Sequence, residues 1–364
     1  MEFLPIALAD FEERARSLLP PEVWDYVAGG SGTETTLAAN RAALDAVAVY
    51  PRVLPGGVAE PRIELFGGSL AMPVAVAPMA YQRLLHPDGE LAMAEAAAEA
   101  GVPMAVSTLS SYSLEEIAKV GAELWFQLYW VGDRDLIQQL VERAEAAGCR
   151  ALLVTVDLPL LGRRLRDARN AFQLPPEVVA ANLCASAPTD SAAHRATLGR
   201  SAVADHTRQL IGAGLTWADL EWLRSRTRLP LLIKGILDPA DADRAVRLGA
   251  DGVVVSNHGG RQLDGAPASI EALAEVVAEV GDRCPVLLDS GIRDGTDVLR
   301  ALALGATAVL LGRPMLWALA AGGAAGAGHA LELLAADLTD TLTLAGCRTP
   351  AAARQLRADR RPRR

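Results

Sequence analysis

Eight short apolar runs, each ending in a polar or small residue, constrain this chain more than any other feature. They are MPVAVAP (72–78), PMAVST (103–108), LWFQLY (124–129), ALLVTVD (151–157), PLLIKG (230–235), GVVVSNH (252–258), PVLLDS (285–290) and AVLLGR (308–313). Amphipathic stretches at 88–100, 133–147, 239–248, 269–280 and 294–304 alternate with them, and Gly101, Gly148, Gly249, Gly281 and Gly305 stand where those helices should stop. Strands buried on both faces and separated by helices predict βα units on a parallel sheet, and eight such units close a barrel. The expected fold is α/β, a single TIM-type (β/α)8 barrel spanning residues 1–364. Residues 1–70 precede the first strand and should pack across the barrel as helices and a short hairpin. Residues 165–216 replace a short loop after strand four and are long enough to form a lid over an active site. Residues 354–364 hold six arginines and read as a frayed, flexible basic tail.

Composition narrows the function. Apolar residues make up 51% of the chain and charged residues 22%, enough apolar side chains to fill a core and too many for a disordered chain. A net charge of −9 is the wrong sign for gripping phosphate backbones, so nucleic acid is not an expected partner. Cys149, Cys184, Cys284 and Cys347 form no CxxC pair, which argues against a metal site or a disulfide framework and for reduced thiols in the cytoplasm. Glu2, Glu12 and Glu13 lie where a secretory leader would be basic, and the charge-free run 65–82 is broken by Gly67, Gly68, Pro73 and Pro78, so neither a signal peptide nor a spanning helix is expected. The long loop scatters Arg169, Asn170, Glu177, Asp190, His194, Arg195, Arg200, Asp205 and Arg208 among alanines, a pattern for a lid and not for membrane contact.

In a parallel barrel the C-terminal strand ends share one mouth. Pro78, Ser107, Thr108, Gln127, Tyr129, Thr155, Asp157, Lys234, Asn257, His258, Asp289, Gly312 and Arg313 would meet there. Only two of the 35 basic residues are lysines, Lys119 and Lys234, and a compact point charge at a strand end suits a ring that becomes anionic. In SNHGGRQLDG (256–265), His258 sits at a strand end and Arg261 follows the flexible pair Gly259 and Gly260. That puts a titratable base beside a fixed cation, suitable for taking a proton from a substrate whose carboxylate the arginine holds. Asp157 could orient His258, and Arg164 could complete a carboxylate clamp. DSGIRDG (289–295) and GRP (312–314) add glycine-rich turns with Arg293 and Arg313 after strands seven and eight, where barrels commonly bind phosphate.

Together with WDYVAGGSGTE (24–34), APMAYQRLLHPDGE (77–90), TLSS (108–111), FQLY (126–129) and TVDLPLLGRRLRDARN (155–170), these motifs resemble the FMN-dependent α-hydroxy acid oxidase and dehydrogenase family over about residues 24–347. GGSGTE, AYQRL and ADHT (204–207) are most similar to its 4-hydroxymandelate oxidase group. The resemblance implies an FMN cofactor and oxidation of an (S)-2-hydroxy acid, an aryl one of the mandelate or 4-hydroxymandelate type, to the 2-oxo acid. Oxygen would be reduced to hydrogen peroxide, and the enzyme would be a homo-oligomer, a tetramer or octamer. Position by position, it implies His258 as base with Asp157 as its partner, Arg261 and Arg164 as the clamp, and Tyr26 and Tyr129 as hydroxyl donors. Pro78, Met79 and Ala80 would line the flavin near N5. Ser110, Gln127 and Thr155 would bond its ring, and Lys234 would oppose negative charge at the N1 and O2 edge. Ser256, Asp289, Ser290, Gly291, Arg293, Gly312 and Arg313 complete the implied cofactor set, the last six towards ribityl and phosphate, and Tyr112 and Leu161 would shape the substrate pocket. Met79 stands where many relatives have threonine, and Ser290 where many have glycine. The alternatives are an enzyme for a small aliphatic acid such as lactate or glycolate, a phosphate-binding barrel isomerase, which would not need His258, Arg261 and Arg164 together, and a non-catalytic barrel.

Overall fold

The computed structural model describes residues 4–183, 201–203, 207 and 214–360. Eight strands, β1 (Val74–Val76), β2 (Met104–Ser107), β3 (Leu124–Leu128), β4 (Ala151–Thr155), β5 (Leu231–Ile236), β6 (Gly252–Val255), β7 (Val286–Leu288) and β8 (Ala308–Leu311), fall on the eight apolar runs, β5 alone extending one residue past its run. Every strand pairs in parallel with its sequence neighbour, and β8 returns to β1, closing the barrel. Between and after them run α1 (Gly89–Ala100), α2 (Leu114–Ala118), α3 (Arg134–Ala146), α4 (Trp217–Arg224), α5 (Pro239–Arg247), α6 (Ser269–Val280), α7 (Gly295–Ala303) and α8 (Arg313–Leu344), the last interrupted at Gly322 and Gly323. α3 shows why these segments are helical. Asp133 caps it by accepting from the Asp135 and Leu136 amides, and Ile137, Leu140, Val141 and Ala144 form one buried stripe. The five glycines expected to end helices all adopt positive φ.

The two-residue period of a strand explains how the mouth becomes polar. Trp125, Leu153, Leu232, Val254 and Leu287 share the barrel's inner apolar cluster. Two residues further along each strand direction stand Gln127, Thr155, Lys234, Ser256 and Asp289, all buried. The same inward face is thus apolar at the N-terminal end and polar at the C-terminal end. A bulge between Lys234 and Ile236 re-aims β5 at this point. Gly235 has φ +108, and a Cβ there would lie 2.6 Å from the Asp157 side chain, so only glycine lets Asp157 sit against β5.

The N-terminal 70 residues form helices Leu8–Leu18, Pro21–Ala28 and Thr35–Asp45 and a hairpin of Ile63–Leu65 with Gly68–Leu70. The hairpin turns through Phe66 and Gly67, both at positive φ, and its Leu65 and Leu70 join the inner cluster while Phe66 meets Trp125 edge-on at 5.6 Å. The hairpin therefore plugs the apolar end of the barrel. The start of the basic tail departs from the expected frayed end: Ala358–Arg360 pairs antiparallel with Val47–Val49, and Arg357 lies over the Tyr50 ring at 4.2 Å. Arginines beside an edge strand gain backbone pairing and an aromatic partner, which composition alone does not reveal. Residues 361–364, and 184–200, 204–206 and 208–213 of the expected lid, lie outside the described residues, including Cys184 and all of ADHT but Thr207. Leu70→Ala, which empties a buried position in the plug, should cost about 2–5 kcal/mol in chemical denaturation.

Candidate active site

A cavity opens at the polar end of the barrel, with about 1100 Å³ of space including its mouth. Among the described residues Arg164, Lys234, Arg261, Arg293 and Arg313 line it, against a single carboxylate, Asp289. Burial, then Arg164, pushes the Arg261 guanidinium down to about 10. Burial, then Arg41, does the same to Arg293, also to about 10. Burial, followed by Arg261 and Arg293, holds Arg313 well below its ordinary value. Buried cations that oppose one another in this way are the electrostatic signature of a site for anions.

The imidazole of His258 also lines the cavity, with Nδ1 3.0 Å from Asp157 Oδ1. Burial lowers the His258 pKa below its usual value, and Asp157 opposes that shift without cancelling it. His258 has φ +59, a costly conformation for a non-glycine residue, and its amide donates to Ser256 Oγ at 3.0 Å. The same hydroxyl accepts from Lys234 Nζ at 3.0 Å and donates to Asp289 Oδ2 at 2.5 Å. Lys234 is 3.0 Å from Asp289. Burial works against the ammonium, but Asp289 and Asp157 outweigh it and raise its pKa. One serine thus ties the buried lysine to the histidine-bearing turn.

Tyr26 comes from helix Pro21–Ala28, and its ring has Arg261 at 5.2 Å, Arg164 at 5.7 Å and Phe172 stacked at 4.7 Å. Arg261 Nη1 donates to the carbonyls of Tyr26 at 2.6 Å and Gly29 at 2.9 Å. Arg313 donates from all three nitrogens, to Val27, Gly29 and Gly259 carbonyls at 2.9, 2.9 and 3.0 Å. Gly162 lies against the Arg261 carbonyl with no room for a Cβ, so the β4 and β6 loops touch through their backbones. Gln262 bolts them together, donating to Asp157 and Leu160 carbonyls at 2.6 and 3.0 Å and accepting from Gly162 at 3.1 Å.

Most residues singled out from the sequence line this cavity: Tyr26, Pro78, Met79, Ala80, Tyr129, Thr155, Leu161, Ser290, Gly291 and Gly312, with the cations, His258 and Asp289 already named. Of the site residues that the resemblance implied, five stand outside it. Asp157 and Ser256 act behind His258 and Lys234. Gln127 donates to Thr155 Oγ1 at 3.0 Å and accepts from Thr108 at 3.1 Å. Ser110 is tied to the Tyr112 carbonyl at 2.7 Å and to Asn182 at 2.8 Å. Tyr112 donates its hydroxyl to the Pro87 carbonyl at 3.1 Å. Ser290 adopts φ +88, and its hydroxyl accepts from the Gly259 amide at 2.9 Å, a bond glycine would not make. Sequence reasoning missed Tyr81, Leu109, Leu158, Val203 and Thr207 in the lining. Tyr81, Leu109 and Leu158 each closely follow a strand end already recognised, and that adjacency was the available signal.

The fold and the charge of the cavity define a barrel that binds anionic ligands at the C-terminal mouth of its sheet. The chain belongs to the FMN-dependent dehydrogenase family, whose model matches residues 15–359. It is 56% identical to 4-hydroxymandelate oxidase of Amycolatopsis orientalis, covering 96% of this chain and 97% of that one. It is 49% identical to L-lactate oxidase of Nostoc sp., covering 94% and 95%. A solved structure of mandelate oxidase with (S)-4-hydroxymandelic acid superposes with a TM-score of 0.95 at 56% identity, over 98% of this chain and 99% of that one. FMN is the cofactor, and the cavity fits it. Surplus buried positive charge and the N-terminus of α8, which begins at the cavity-lining Arg313, suit a phosphate. Among the described residues no helix is long and apolar enough to cross a membrane. Arg313→Lys keeps the charge but not the three-way donation, so it should lower the thermal midpoint of the apoprotein as well as its flavin content.

Proposed function

We propose that this protein oxidises an (S)-2-hydroxy acid bearing an aryl group, of the mandelate or 4-hydroxymandelate kind, to the 2-oxo acid, with oxygen as the final acceptor. The observation that carries this reading is the coincidence at one cavity of His258, backed by Asp157, with two arginines beside one tyrosine ring. Two guanidiniums suit the carboxylate of the acid. With its proton on Nδ1 and donated to Asp157, His258 has Nε2 free to take the proton that the oxidised carbon or its hydroxyl releases, and Asp157 steadies the imidazolium that results. Tyr129, whose pKa burial and then Asp157 push upward, stays a neutral donor to the substrate's oxygen. Lys234 would face the flavin's N1 and O2 edge, Pro78 to Ala80 its N5 side, and Arg293, Gly312 and Arg313 its phosphate. Bound FMN supplies the two-electron acceptor, which oxygen reoxidises with formation of hydrogen peroxide. Leu109, Leu158, Leu161 and Val203 give the substrate side apolar walls, which supports an aryl side chain over a methyl group, as do the 4-hydroxymandelate and mandelate oxidase relatives. We also infer that the protein works as a homo-oligomer in the cytoplasm.

Anaerobic mixing with (S)-mandelate or (S)-4-hydroxymandelate should bleach the flavin, with kcat/KM above that for lactate and glycolate, and air should then yield peroxide. A preference for lactate would remove the aryl assignment, and bleaching by no hydroxy acid would remove the reaction. His258→Ala should retain FMN and lose at least the roughly 10²- to 10⁴-fold that a general base supplies.

The pH profile follows from the histidine. The base must be neutral, so kcat/KM should hold across neutral pH and fall only below the ordinary histidine range, because burial lowers the His258 pKa. Asp157 favours the charged ring. Asp157→Asn leaves burial unopposed, so the acid limb should move to lower pH even as the plateau rate drops. A limb that moves upward would contradict the assignment.

A further inference from the structure

Arg166, Asp25 and Glu34 are not among the residues lining the cavity, yet they join the two chain segments that carry its clamp. Arg166 Nη1 is 3.2 Å from Asp25 Oδ1, and Nη2 is 2.5 Å from Glu34 Oε2. Four residues on, Asn170 Nδ2 donates to Asp25 Oδ2 at 2.7 Å. The Gly32 amide donates to the Arg163 carbonyl at 2.8 Å, and Phe172 stacks on Tyr26. These contacts dock residues 163–172 of the β4 loop onto residues 25–34 of the N-terminal segment. Arg164 belongs to the first segment and Tyr26 to the second. The docking also reaches Arg261: Glu34 Oε1 accepts from the Gly30 amide at 3.0 Å, and the adjacent Gly29 carbonyl takes Arg261 Nη1 at 2.9 Å.

We propose that Arg166 is a positioning residue for recognition of the substrate carboxylate, and that its shared pairing with Asp25 and Glu34 holds Arg164, Tyr26 and Arg261 in register. This rests on the reading of the cavity as a hydroxy-acid site. A partly exposed ion pair adds little to global stability. Here its effect falls on the relative placement of two segments, so it appears in the binding of the acid and not in the reactivity of His258, which is held separately by Asp157 and Ser256.

The test uses FMN-saturated holoenzyme. Arg166→Ala should raise both KM for the best hydroxy acid and Kd for its 2-oxo acid, read from flavin absorbance, by about fivefold, the scale of one weak charged contact, with kcat within about twofold. Arg166→Lys, which can still pair with one carboxylate, should recover part of the loss. Arg166→Ala combined with Glu34→Gln should be no worse than Arg166→Ala alone, because both remove one interaction. KM and Kd unchanged in Arg166→Ala, a fall in kcat at constant KM, or effects that multiply in the double variant would each overturn the proposal. If Arg166→Ala does not fold, Asp25→Asn and Glu34→Gln carry the same measurement. A wild-type protein that turns over no hydroxy acid would instead overturn the functional reading beneath it.

Discussion

Among the described residues the cavity at the mouth of this barrel is lined by five cationic side chains and one carboxylate, and much of the surrounding structure follows from that imbalance. A guanidinium taken out of water must find acceptors, and backbone carbonyls are the acceptors that do not cancel its charge. Arg261 and Arg313 both turn to the carbonyls at the end of helix Pro21–Ala28, and Arg313 adds that of Gly259. The N-terminal extension is therefore part of the site: without it two cavity arginines would lose most of their hydrogen bonds. A phosphorylated cofactor and an acid both bring negative charge to these opposed cations, so both ligands should stabilise the fold by mass action.

The barrel divides this load along its axis. At the N-terminal end the inward face is Trp125, Leu153, Leu232, Val254 and Leu287, sealed by the hairpin's Leu65 and Leu70. At the other end the same face bears Gln127, Thr155, Lys234, Ser256 and Asp289, joined to one another and to the loops by hydrogen bonds. Burying these polar groups is tolerable only because they are paired. The apolar end supplies cohesion, and the polar end can then be arranged for chemistry.

This division was partly legible in the sequence. The eight runs and the glycines that stop the helices showed the barrel, because strand burial and left-handed helix ends leave strong local patterns. Reading each strand end as polar brought many of the cavity-lining residues into view but did not separate those that face the cavity from those that brace it. Asp157, Gln127 and Ser256 bond to neighbours inside the wall, and Ser110 and Tyr112 spend their hydroxyls on the Tyr112 and Pro87 carbonyls. Such orientation depends on contacts between loops far apart in the chain, for example Gln262 with Asp157 and Leu160. The pairing at the start of the tail was hidden for the same reason, since nothing local to Ala358–Arg360 announces the partner strand Val47–Val49.

Part of the backbone strain falls at the same end. Tyr81, His258 and Ser290 are non-glycine residues at positive φ, and all three line the cavity. Each such residue costs on the order of 1–3 kcal/mol and persists only where its surroundings over-determine it. For His258 the restraint is its amide bond to Ser256. For Ser290 it is the hydroxyl that holds Gly259, the residue following His258. The two strained residues thus brace one turn from both sides, each through a hydrogen bond worth roughly 0.5–1.5 kcal/mol. That bracing holds the imidazole against Asp157, with Nδ1 3.0 Å from Oδ1.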